Sequence, residues 1–91
     1  MGYEYEIRVP DASPGALESV IRTAPFFSRF LPEHALFEFR SEGNPVGMPD
    51  AWASIMPKGL YFCDNGGGYE MLEYLVNRIR NAIGPAIVEE M

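Results

Sequence analysis

The run Asp64-Asn65-Gly66-Gly67-Gly68 separates a β-type stretch from a helical one. Exposed peptide N–H groups at such a helix start can hold an anion. The run has neither the glycine spacing of a dinucleotide-binding turn nor the lysine of a phosphate loop, and Asp64 repels an anion. The plainer expectation is a tight turn whose glycines supply unusual backbone angles, with Asn65, Gly66, Gly67 and Gly68 as a ligand-binding alternative. His34 beside Glu33 could form an acid–base pair. Adjacent residues of an extended chain point apart, however, and no Ser or Cys nucleophile is placed near them. Cys63 would act as a nucleophile only with a base close by and a stabilised thiolate; beside Phe62 in a strand it reads as a small buried hydrophobe. No catalytic residue is assigned.

Glu4 and Glu6 share a strand face that Glu38 can join from a neighbouring strand. Three acids could ligate a hard cation, but the dense oxygen pattern of a calcium loop is absent. Cross-strand pairing with Arg8 and Arg40 accounts for them more simply. One histidine and one cysteine do not make a zinc site, so no metal and no other cofactor is expected. Trp52 and Tyr61 are expected to face each other across a hairpin, as packing residues or as anchors of an interface.

These residues sit in a chain of 91 amino acids that is 47% hydrophobic and 22% charged, which suits one domain over residues 1–91 with its own core. Thirteen carboxylates against seven basic side chains give a net charge of −6. That balance repels phosphate backbones, so nucleic-acid binding is not expected. The opening Met1–Glu6 has neither the basic nor the apolar region of a secretory signal, and no apolar run reaches the length of a membrane span. With a lone cysteine, a reducing, cytoplasmic setting is the expectation.

The elements that must position these residues follow from periodicity. Tyr3 to Val9 alternates strictly and reads as a strand. Ser13-Pro14 offers a helix cap and first turn, and Leu17, Val20, Ile21 and Ala24 form an apolar stripe before Pro25 stops the helix. Phe26, Phe27, Phe30 and Leu31 are spaced for a helical turn or a structured loop. Ala35 to Arg40 alternates as a second strand, residues 41–50 form a loop, and Pro57-Lys58-Gly59 joins two strands with Gly59 at a positive φ. Ala51–Met56 reads as a strand or a helical turn. A helix spans about Tyr69 to Ile83 and stops at Gly84-Pro85, and Ala86–Met91 supplies a last strand.

The resulting order, β-α-β-β(-β)-α-β, predicts an α+β two-layer sandwich with a mainly antiparallel sheet of four or five strands and both helices on one face. In element order alone it resembles ferredoxin-like regulatory domains. The functional expectation is a small acidic, non-catalytic interaction module. It would use Glu4, Glu6, Arg8, Glu38, Arg40, Trp52 and Tyr61, or the edge strand of the hairpin, to bind a protein partner or a second copy. The alternative is a small-molecule-sensing domain whose ligand lies between the glycine turn and the loop 41–50.

Overall fold

Alternation at the start of the chain produces β1 (Tyr3–Arg8), in a computed structural model that describes residues 3–91. Ser13 caps α1 (Pro14–Arg22): its Oγ accepts the Ala16 N–H at 3.2 Å, and Pro14 occupies the first turn, where a missing N–H costs nothing. Leu17, Val20 and Ile21 are the buried stripe.

The phenylalanine-rich segment after Pro25 is a strand, β2 (Phe27–Leu31), rather than a helical turn or loop. It pairs antiparallel with β3 (Leu36–Phe39), with a register shift between Phe27 and Arg29. That irregularity inserts a residue, so Phe27 and Phe30, three apart, face the same way, opposite Phe39 and Phe37. A bulge thus imitates helical spacing. Ala35, at φ 53°, closes the turn between the strands.

Ala51–Met56 is a strand, β4, paired with β5 (Gly59–Asp64) across a turn at Pro57-Lys58. Gly59 is not among the positive-φ residues, contrary to expectation. It opens β5, where a side chain would collide with the Ile7 carbonyl oxygen of β1. Helix α2 (Tyr69–Ala82) and β6 (Ile87–Glu90) complete the chain.

Among the described residues the sheet has six strands, in the order β2-β3-β4-β5-β1-β6, and every neighbouring pair is antiparallel. This corrects the expected four or five. The β4–β5 hairpin lies inside the sheet and offers no edge; the edges are β2 and β6. Ile7, Phe37, Phe39, Ala53, Leu60 and Phe62 from the sheet join Leu17, Ile21, Leu75 and Ile79 from the two helices in one hydrophobic cluster, which puts both helices on one face. Phe39 stacks on Phe62 at 6.1 Å, and Phe26 meets Phe39 and Tyr74 edge-on at 5.3 Å. The Arg22 guanidinium sits 5.5 Å over the Phe30 and Phe37 rings, tying the end of α1 to the β2–β3 side by cation–π attraction. No helix among the described residues is long and apolar enough to cross a membrane.

Candidate functional site

With both helices on one face, the opposite face of the sheet is left uncovered, and strand pairing fixes what stands on it. One row runs Arg29, Glu38, Trp52, Cys63 and Glu4 across five strands. The next holds Ser54, Tyr61, Glu6 and Glu89, and a third holds Met56, Gly59, Arg8 and Ile87. Glu4, Glu6, Arg8, Glu38, Trp52 and Tyr61 therefore share one face, and Arg40 reaches it through Glu38. Trp52 and Tyr61 do not sit opposite each other as expected: Trp52 pairs with Cys63 and Tyr61 with Ser54, so the two rings are diagonal neighbours.

Trp52, Tyr61 and Cys63 are half-buried in the middle of this face. The Tyr61 hydroxyl donates to Glu4 Oε1 at 2.7 Å. Burial and this bond raise its pKa well above the ordinary tyrosine value, so it stays a donor. At one side Arg8 pairs with Glu89 at 2.8 Å and with Glu6 at 3.4 Å. Such exposed pairs stabilise little and remain available to re-pair.

Glu38 departs furthest from its expected place as a surface acid. Only 3% of it is exposed, and its carboxylate accepts from Arg40 Nε at 2.7 Å, Ser28 Oγ at 3.2 Å and Arg29 Nε at 3.4 Å. Arg40 in turn donates to the Gly47 carbonyl at 2.6 Å, which draws the loop 41–50 over this end of the sheet. Asp50 anchors the loop's other end, accepting the Ser41 N–H at 2.6 Å and Asn44 Nδ2 at 3.1 Å. Burial pushes the Asp50 pKa upward, but these bonds outweigh it and the net shift is downward. Arg29 and Ser28 were not legible as partners because the bulge hid their strand. Asn44 and Asp50 carry only the generic turn-forming signal of their residue types.

The glycine turn is occupied by the chain itself. Asp64 is 5% exposed, and its Oδ1 accepts the N–H groups of Gly66 and Gly68, each at 2.8 Å. Those are the amides an anion would need. Gly66 and Gly67 take φ of 109° and 85°, as the turn requires. Asn65 donates to the Pro49 carbonyl at 3.1 Å and its N–H to the Asp50 carbonyl at 2.9 Å, so turn and loop are packed together at this point. A cleft of about 340 Å³ beside Gly67, lined by Ser41, Phe26, Glu70 and Tyr74, is what the sensing alternative retains. Asp64→Ala is expected to destabilise the fold by about 2 kcal/mol, because the buried Gly68 amide and the more exposed Gly66 amide both lose their acceptor. Urea unfolding with amide exchange at Gly66 and Gly68 measures it, and Asp64→Asn should lose less.

His34 lies exposed in the turn between β2 and β3. The Cys63 thiol is 3.5 Å from Asn65 Oδ1. Among the described residues no three His, Cys, Asp or Glu side chains come together to hold a metal ion. Compared with known proteins, the chain matches no family, and no characterised protein or solved structure is significantly similar to it.

Proposed function

We propose that the chain is a small, non-catalytic interaction module that presents its uncovered sheet face to a protein partner. The observation that carries this reading is the half-buried Trp52–Cys63–Tyr61 centre between charged borders, Glu4, Glu6 and Arg8 on one side and the exposed Arg29, beside the Glu38–Arg40 pair, on the other. An apolar aromatic centre inside a polar rim is the usual anatomy of a protein interface. The net charge of −6 favours a protein over a nucleic acid, and a lone cysteine within this centre suits the reducing cytoplasm. We further read β1, β4, β5 and β6 with the two helices as a ferredoxin-like unit to which the β2–β3 hairpin is added. The adjacency β4-β5-β1-β6 supports that reading.

Glu38 is too deeply buried to probe this surface, so the informative substitutions are Trp52→Ala and Glu4→Lys with Glu6→Lys. Wild type and variants are compared by quantitative affinity capture from native lysate and by sedimentation. The expected result is a stoichiometric partner, or a dimer, that both variants lose while each still unfolds in one cooperative transition well above the assay temperature. Identical captures and a monomer throughout would overturn the reading.

A further inference from the structure

The sheet ends at β6, beyond which no strand lies among the described residues, and all four residues Ile87–Glu90 are exposed. The Met91 N–H donates to the Glu4 carbonyl at 2.8 Å. With Glu6 opposite Glu89 and Arg8 opposite Ile87, antiparallel alternation turns the peptide groups of Ile87 and Glu89 toward β1 and those of Val88 and Glu90 outward. The Ala86 carbonyl belongs to the same outward series, and it accepts Arg80 Nη2 at 2.8 Å. Arg80 thereby fixes the last turns of α2 to the start of β6.

A groove of about 250 Å³ runs between β6 and α2, lined by Tyr5, Leu72, Glu73, Val76, Arg80 and Val88. Glu90 stands on this side, opposite Tyr5 in the register; burial and then the Glu90 charge raise the Tyr5 pKa. The edge thus combines an apolar floor, two carboxylates from Glu73 and Glu90, the Arg80 guanidinium held at the Ala86 carbonyl, and four outward backbone groups. The other edge, β2, is interrupted by its register shift, an irregularity that discourages strand addition. β6 is regular. Pairing with the β6 of a second copy centred on Glu89 or Glu90 would set like carboxylates directly opposite each other, which repulsion opposes. At the Glu90 end, away from Arg80, the carboxylate selects a basic residue of a partner instead.

We propose that the β6–α2 groove binds an extended segment of a partner protein as a strand antiparallel to β6, with a basic residue opposite Glu90 and, two residues later, an apolar residue opposite Val88. The backbone groups of Val88 and Glu90 supply the hydrogen bonds, and Leu72 and Val76 receive the apolar side chain. This surface is separate from the Trp52 face and is tested separately.

The probe is the blocked heptapeptide Thr-Lys-Thr-Val-Thr-Val-Thr, titrated into nitrogen-15-labelled full chain. Saturable shifts are expected at residues 86–91 and at Leu72, Glu73 and Val76, with slowed exchange of the Val88 and Glu90 amides. Glutamate in place of the peptide lysine, or N-methylation of the lysine and first valine, should weaken binding about tenfold or more. Val88→Pro removes an outward donor without touching the β1 ladder and should also abolish binding; the peptide controls hold if that variant unfolds. The proposal is overturned by equal binding of the N-methylated peptide, by shifts centred on Trp52 and Tyr61, or by no shifts at millimolar peptide. A dimer that Val88→Pro dissociates would give the edge to a second copy and overturn it as well.

Discussion

Alanine at Gly59 is expected to lower the melting temperature by roughly 15 °C or more, a loss of about 3 kcal/mol in a chain of this size. The added methyl would run into the Ile7 carbonyl oxygen and lie 3.2 Å from Arg8 Cα. Both obstacles are backbone, so no rotamer change relieves them. Relief requires β1 and β5 to separate where they pair Arg8 with Gly59 and Ile7 with Leu60. Ile7 and Leu60 are both fully buried, so the strain opens the core. Gly15 is the control. It lies in the first turn of α1 with nothing within 4 Å of the added carbon, and alanine there should stabilise by up to about 1 kcal/mol through helix propensity. Paired thermal melts of the two variants decide the matter; equal melting temperatures would show that β1 and β5 tolerate separation.

Gly59 also shows where reading the sequence succeeds and where it stops. Its position after Pro57-Lys58 identified the hairpin correctly, since turn chemistry is local. Its actual reason for being glycine is contact with a strand fifty residues earlier in the chain, which no local pattern carries. The same division runs through the fold. β1, both helices and β6 declare themselves by strict period or by caps and stops such as Ser13-Pro14 and Gly84-Pro85. β2 does not, because its bulge puts Phe27 and Phe30 on one face with helical spacing. Missing that strand hid Arg29 and Ser28, and with them the reason Glu38 is buried. The shared outward face of Glu4, Glu6 and Arg8 was legible because alternation assigns faces without knowing strand order, whereas Trp52 and Tyr61 lie in largely apolar strands whose face only the pairing register decides. The groove beside β6 was not, because it depends on which strand ends the sheet.

Glu38→Ala is expected to destabilise the protein by about 3–5 kcal/mol, the range for breaking one side of a buried ion pair. The Arg40 side chain is only 14% exposed and Glu38 only 4%, so the substitution leaves a guanidinium with two carbonyl partners, at Gly47 and Asn44, and no counter-charge at 2.7 Å. Glu38→Gln keeps the shape and an acceptor for Ser28 and should lose about 2 kcal/mol, the difference between charged and neutral hydrogen bonds. The two variants also separate in their pH dependence from the wild type. The hydrogen bond from Arg40, against the opposing effect of burial and helped by Ser28, holds the Glu38 pKa below its ordinary value of 4.5. In acid the unfolded chain therefore binds this proton first. The stabilisation is complete above about pH 4.5 and disappears as the pH falls through the folded-state pKa. Asp50, also shifted downward, adds to the same acid limb. Glu38→Gln should consequently flatten the fall in stability between neutral pH and pH 3 without abolishing it, as followed by urea unfolding at successive pH values. An unchanged slope would show that Glu38 does not govern acid stability. Because Glu38 and Trp52 are cross-strand neighbours, the buried pair also supports one side of the aromatic centre. Loss of binding in either Glu38 variant would thus report a displaced Trp52 rather than a lost contact, whereas Trp52→Ala reads the surface directly.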